Sequence, residues 1–264
     1  MTEIIFIGTG GGRINLLKQF RGTGGFRINS KGANVHVDPG PGALIGSLRF
    51  KQDPLKLDAL IVTHAHIDHC NDAGLIIEAI SRHTLKKRGI VIASRYALEG
   101  GEKGDRTITI YHQGKVAEVY AAKIGERKKF KTERGWFEIE IIEAKHDIED
   151  AFGFKLFIDG TTIGYTGDTE YYRGMDQKYR GCDYLIANCL KPQHDEYPGH
   201  MTSNDVAVLM KGAKPKMGIM THMGMSLLRA GPKKEAAMIS KKSGIDVVAA
   251  YDGMKVGEGL EKYM

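Results

Sequence analysis

Cysteine is scarce in this chain, with three residues in 264, Cys70, Cys182 and Cys189. An odd, widely spaced set excludes a disulfide framework and fits a reducing compartment. It also lacks the short paired spacing of a structural zinc site, so the three thiols read as small buried hydrophobes. No apolar run approaches the length of a membrane span. The start, Met1-Thr2-Glu3-Ile4-Ile5-Phe6-Ile7, carries no basic region ahead of its apolar residues and reads as a first strand rather than a leader. The expectation is a cytoplasmic protein without membrane contact. Linkers, low-complexity segments and internal repeats are also missing. The expected organisation is therefore one domain over 1–264, a length that buries roughly three quarters of the unfolded surface without staples.

Charge is unbalanced only mildly, with 38 Lys+Arg against 32 Asp+Glu and a net charge of +6. The balance favours anionic partners and says nothing about fold. The basic runs Lys86-Lys87-Arg88 and Arg127-Lys128-Lys129-Phe130-Lys131 are short enough to be solvated surface.

Glycine is abundant, 34 residues, and collects where apolar runs end. Gly8 to Arg13 reads as a turn, because the Gly-Lys-Ser/Thr ending of a phosphate-cradling loop is missing. Asn34–Val37 is a strand that delivers Asp38 at its end, and Asp58–Val62 is a continuous apolar run suited to a strand buried on both faces. A helix is expected over Leu75–Ile80 with Asp72 as its N-cap. Further strands are expected at Gly89–Ala93, Val116–Ala121, Trp136–Ala144, Gly153–Ile158, Thr162–Tyr165, Tyr184–Ala187 and Met217–Met220, and helices at Ser203–Lys211 and Pro232–Ser243. Many strands with interspersed helices predict an α/β fold, a four-layer αββα sandwich of two facing sheets with helices outside.

Thr63-His64-Ala65-His66-Ile67-Asp68-His69 directly follows the buried strand. His64 and His66, two apart in extended backbone, face one way and can grip one ion. Asp68 and His69 would diverge in a strand, and serve a second ion only if the chain curls there. Four ligand-type residues within six positions point to a metal such as zinc, given its imidazole and carboxylate preferences.

The His-x-His-x-Asp-His pattern resembles the signature of the metallo-β-lactamase superfamily, and the resemblance extends from the first strand to about Arg229. It implies two divalent ions, zinc first, with manganese or iron as alternatives. His64, His66 and His146 would hold one ion and Asp68, His69 and His222 the other, with Asp168 bridging. Asp38 matches the buried aspartate that orients a metal-binding histidine. His146, Asp168 and His222 each also lie at the end of an apolar, strand-like run. A hydroxide held between the ions would be the nucleophile, and the residual charge near +1 would attract a phosphodiester.

Pro198-Gly199-His200-Met201-Thr202 resembles the Gly-His-Ser/Thr segment of ribonuclease Z and related small phosphodiesterases. This implies His200 as general acid for the leaving oxygen, and the candidate catalytic residues are His200, Asp68 and Asp38. Two departures stand out. Asn188 occupies the strand end where ribonuclease Z carries a glutamate, and only 21 residues separate His146 from Asp168, too few for a tRNA-gripping arm. The expected substrate is thus a small phosphodiester or single-stranded nucleic acid. The rivals are a ribonuclease Z-like nuclease, an ester, thioester or lactone hydrolase, and a metal- or nucleotide-binding protein without turnover. Arg13, Arg21 and Arg27 could contact a phosphate or be ordinary surface residues, and His194 could line the mouth of the site. His36, His83 and His112 read as structural. The sequence leaves the oligomeric state open, a homodimer included.

Overall fold

A computed structural model of the chain describes residues 2–102 and 104–257, so the expected domain of 1–264 runs past the described residues at both ends. Its strands are β1 (Glu3–Phe6), β2 (Phe26–Asn29), β3 (Asn34–Val37), β4 (Ala59–Val62), β5 (Ile90–Ala93) and β6 (Glu118–Ala121). They continue with β7 (Arg127–Lys131), β8 (Trp136–Glu143), β9 (Phe152–Ile158), β10 (Thr161–Tyr165), β11 (Tyr184–Asn188), β12 (Met217–Thr221), β13 (Val247–Ala249) and β14 (Lys255–Gly257). Two seven-stranded sheets result, in the orders β14-β1-β2-β3-β4-β5-β6 and β13-β12-β11-β10-β9-β8-β7. Each sheet is half antiparallel and half parallel. Pairing is antiparallel from β14 to β3 and parallel from β3 to β6. In the second sheet it is antiparallel from β7 to β10 and parallel from β10 to β13.

Strands of the parallel halves are apolar on both faces because both faces are covered. In β4, Ile61 joins the cluster between the sheets, while Leu60 and Val62 pack outward with Ile76, Ile77 and Ile80 of helix Ala73–Ile80. In β11, Ile186 points between the sheets, while Leu185 and Ala187 pack with Val206 and Met210 of helix Ser203–Ala213 and Ile239 of helix Pro232–Ser243. Three apolar seams therefore join four layers, as the αββα reading requires. Ile61 is fully buried, so truncation to alanine would cost about 2–5 kcal/mol.

Local signals explain most boundaries. Helix Ser203–Ala213 opens on a reciprocal capping box between Thr202 and Asp205, and helix Pro232–Ser243 runs from a proline in its first turn to a left-handed Gly244. Four expectations need correction. The turn at Gly8 to Arg13 ends in a helix, Gly12–Lys18. Asp72 precedes helix Ala73–Ile80 but makes no cap bond; its carboxylate accepts instead from the Leu44 N–H at 3.3 Å and Asn71 Nδ2 at 3.0 Å. The basic run at Arg127 is the edge strand β7, with Phe130 buried, Lys128 laid over the Tyr120 and Phe130 rings on the same face, and Lys129 and Lys131 outward, a charged edge that discourages edge-to-edge pairing. The same basic patterning hid Arg88, which is buried and ion-paired with Asp58 at 2.9 Å.

The three cysteines are buried and free, and burial raises the Cys70 thiol to about 11 and Cys182 to about 12. Among the described residues no helix is long and apolar enough to cross a membrane.

Candidate metal centre

The carboxyl ends of β3, β4, β8, β10, β11 and β12 converge, and each carries a polar residue just at or past its last apolar position. Asp38 follows β3, His64 and His66 follow β4, His146 follows β8, Asp168 follows β10, Asn188 ends β11 and His222 follows β12. The chain does curl after His66, as one helical turn over Ile67–Cys70, which swings Asp68 and His69 to the same side.

Ligand-type atoms fall into three groups, each within 4.8 Å: His64, His66, His146 and Asp168; Asp68, His69 and His222; and Asp168, His200 and His222. Asp168 belongs to two of these groups, and its Oδ2 also approaches the histidines of the remaining one. Asp168 Oδ2 lies 3.3 Å from His69 Nε2, 3.4 Å from His222 Nε2, 3.6 Å from His200 Nδ1, 3.8 Å from His64 Nε2 and 3.9 Å from His146 Nε2. Its other oxygen, Oδ1, accepts from Asn188 Nδ2 at 2.7 Å.

Hydrogen bonds behind the histidines fix which nitrogen faces the centre. His69 Nδ1 lies 2.9 Å from Asp38 Oδ2 and can only donate to that carboxylate. His146 Nδ1 donates to the Gly199 carbonyl at 2.9 Å. Thr63 Oγ1 gives its proton to Asp38 Oδ2 at 2.8 Å and so accepts from His64 Nδ1 at 3.1 Å. With Nδ1 so engaged, each of these rings has Nε2 turned inward, and once that nitrogen is unprotonated it is the tautomer that ligates a metal. The inward nitrogens lie close together: His69 and His222 Nε2 are 3.0 Å apart, as are His146 Nε2 and His66 Nδ1, and His64 Nε2 is 3.1 Å from His66 Nδ1.

The field of the site also calls for cations. Burial lowers the His64 pKa well below the histidine range, with His69 adding to the effect, so His64 is neutral. At His69 burial disfavours charge, yet Asp168, Asp38 and Asp68 outweigh it and raise the pKa well above the usual value. Burial likewise opposes ionisation of Asp168, but His222, His69 and His200 hold it well below the carboxylate range. Three largely buried carboxylates, Asp38, Asp68 and Asp168, are a costly arrangement unless positive charge is supplied. Imidazole and carboxylate donors of this kind suit divalent zinc, iron or manganese, so the donor set fits the metal expected from the sequence.

Asp38 does not face the cleft. Its Oδ1 accepts from the Thr63 N–H (2.7 Å), and its Oδ2 from the Thr63 hydroxyl, His69 and the Tyr165 hydroxyl (2.9 Å). It is a positioning residue for His69 and not a group that could touch substrate. His200 does reach the centre, T-shaped on His146 at 5.0 Å and stacked on His222 at 5.8 Å between ring centroids. Burial lowers its pKa to about 4, opposed by Asp168 and reinforced by His222 and His146.

Two glycines are required here by close approach. A Cβ on Gly11 would come within 2.2 Å of the His222 ring, and one on Gly199, at φ +76°, within 2.7 Å of His146 Nδ1. Gly199 also donates its N–H to Glu170 at 2.8 Å, which anchors the His200 loop. The Gly11 role and the Tyr165 hydroxyl are absent from the sequence reading, since no local pattern marks them, whereas Asn188 stands there only in place of the ribonuclease Z glutamate. Asn188 contacts Asp168 and Tyr165. Of the candidate arginines, Arg27 is buried and bonded to Asn29 and the Asp53 carbonyl, Arg21 donates to Thr9, and Arg13 is exposed on the cleft wall. His194 is exposed against Asn204 and does not line the cleft. Burial lowers the His36 pKa to about 4, and its Nε2 bonds the Gly24 carbonyl, a structural role as expected.

Comparison with known proteins agrees with this geometry. Residues 33–223 match the family described as β-lactamase superfamily domain. The protein MJ1374 of Methanocaldococcus jannaschii is 37% identical over 256 residues, 96% of this chain and 94% of that protein. The ribonuclease Z of Sulfolobus acidocaldarius is 23% identical over 95% of this chain and 98% of that enzyme. Among solved structures, the metallo-β-lactamase fold protein YhfI of Bacillus subtilis superposes with a TM-score of 0.76, at 21% identity, over 97% of this chain and all of that one. A histidine–aspartate centre at the carboxyl ends of two facing mixed sheets, found together with this match across most of the sequence, makes the chain a member of the metallo-β-lactamase superfamily and a hydrolase of that superfamily.

Proposed function

We propose that the chain is a phosphodiesterase of small or single-stranded phosphodiesters that works with two divalent ions, zinc foremost. His64, His66 and His146 would hold one ion, Asp68, His69 and His222 the other, and Asp168 would bridge them. The observation that carries the reading is the position of Asp168 Oδ2, within 3.9 Å of His64 and His146 on one side and of His69 and His222 on the other, and 3.6 Å from His200 Nδ1. Two ions bound there supply an activated water and stabilise charge at phosphorus. The chain's own part is positioning and proton management. Asp38 and Thr63 set the tautomers of His69 and His64, Asn188 fixes the Asp168 carboxylate, and the Gly199–Glu170 contact presents His200. A neutral His200 still offers one N–H to a phosphoryl or leaving oxygen, and passing that proton to the departing alkoxide is the general-acid role.

Substrate size follows from what fills the chain between the third and fourth motifs. β9, β10 and the turn between them take 14 of the 21 residues between His146 and Asp168, and the few left over form short connections, too short for a projecting arm. This supports small substrates over folded tRNA. The second reading, a minimal ribonuclease Z, is favoured by the Sulfolobus relative of that name. The deciding measurement is kcat/KM with one metal throughout on a bis-aryl phosphate, a cyclic nucleotide, a short oligonucleotide, a precursor tRNA and a thioester. Diesters should lead. Efficient cleavage at the tRNA 3′ end would favour the second reading, and preference for the thioester would refute both.

A further inference from the structure

A cleft of about 700 Å³ opens from the metal centre, with His66, Asp168 and His200 on its floor. Its wall is built by two short helices, Gly12–Lys18 and Met225–Ala230, tied together behind by the Gly11 N–H donating to the Met223 carbonyl at 3.1 Å. Each helix sends one arginine into this lining, Arg13 and Arg229, and both are exposed. Neither has a hydrogen-bond or ion-pair partner among the described residues. Lys191, the other cation of the lining, is by contrast paired with Asp195 at 2.9 Å. The carboxylates of the lining are engaged as well: Asp68 and Asp168 with the histidines, and Asp147 with His146 at 3.2 Å. Two arginines of the cleft lining thus have no anion to answer them among the described residues.

The opposite character lies beside them. Ile14, Ile67 and Tyr197 line the same cleft and are each more than half exposed, and the Tyr197 ring sits 5.7 Å from that of His200. An apolar and aromatic shelf next to the reacting centre suits a flat, weakly polar group, and guanidinium forks on the same cleft wall suit a phosphate.

We propose that Arg13 and Arg229 form an anion subsite, and that the preferred substrate is a nucleotidyl phosphodiester carrying a second phosphate, its base against the Tyr197 shelf. The inference rests on the phosphodiesterase reading for the reaction, but the subsite can be tested without turnover. Binding of thymidine 3′,5′-bisphosphate is compared with that of thymidine 5′-monophosphate by titration calorimetry. In parallel, kcat/KM is measured for thymidine 5′-(4-nitrophenyl) phosphate with and without a 3′-phosphate. Charge-assisted contacts of this kind should favour the doubly phosphorylated compound by about 10- to 100-fold. The ratio should fall toward one in R13Q/R229Q, and partly in each single variant. It should persist in K18Q/K233Q, which removes equal charge from exposed positions outside the cleft lining. A ratio near one in the unaltered protein, or one that survives R13Q/R229Q, overturns the subsite. Diester hydrolysis without the preference would leave the phosphodiesterase reading standing. The binding preference without hydrolysis would leave the subsite standing and remove that reading.

Discussion

The side-chain amide of Asn188 donates to Asp168 at 2.7 Å, and the same nitrogen lies 3.0 Å from the Tyr165 hydroxyl. Tyr165 donates in turn to Asp38, which holds His69. One amide therefore governs a residue from each half of the proposed centre. Removing it in N188A leaves a buried carboxylate oxygen without its donor, at a cost of about 1–3 kcal/mol. Metal affinity should fall about 10- to 100-fold, the usual price of losing such a supporting contact. N188D should fall further, because it sets a second carboxylate against Asp168. Competition with a chelating dye reads both; unchanged affinity in N188A would show that Asp168 needs no such support.

Metal content checks the assignment directly. Reconstituted protein should carry two transition-metal ions per chain by elemental analysis. H66A should lose occupancy, while H83A, altered at an exposed position away from the centre, should not. Chelation should lower Tm, since ions that bind only the folded chain stabilise it by mass action. A well-folded chain with one ion or none would end the dinuclear proposal.

Gly11→Ala probes the second ion alone. The added methyl would meet the His222 ring at 2.2 Å, far inside contact distance, so His222 must shift. The expected product is a folded protein whose ion on the Asp68–His69–His222 side is weakened while the other remains. Two ions bound with unaltered affinity would mean that the loop yields instead of the ring.

His200 has two possible roles, because its ring also falls in a ligand-spaced group with Asp168 and His222. If it manages a proton, H200A keeps both ions and loses roughly two to four orders of magnitude in rate. That loss should shrink for nitrophenolate leaving groups, which need no protonation. Loss of an ion, or an equal rate loss for every leaving group, would assign His200 to metal or substrate binding.

What the sequence made legible is what local order encodes. The ligand-type residues could be read because each follows an apolar strand, and β4 and helix Pro232–Ser243 carry their own periodicity and caps. The supports could not. Tyr165 meets Asp38 across 127 positions of sequence, and Gly11 is needed by a ring more than two hundred residues away. β7 hid behind its lysines because a single inward residue, Phe130, breaks the alternation signal, and β13 and β14 are three residues each. Helix Gly12–Lys18 begins inside a glycine run, where propensity argues against it.

The pairing of β14 with β1 has a kinetic side. Asp252, just ahead of β14, accepts from the Thr9 N–H, the Thr9 hydroxyl and the Gly22 N–H, and so pins the loop that seats His222. A chain emerging from the ribosome would expose every candidate ligand well before residues 252–257 return to the first strand. Contacts between such distant segments form slowly, since their loop-closure entropy comes due first. The first sheet should therefore be sealed late, after synthesis has passed β14, and a nascent chain stalled short of it should be more open to proteases near Gly8–Gly12 than the finished protein.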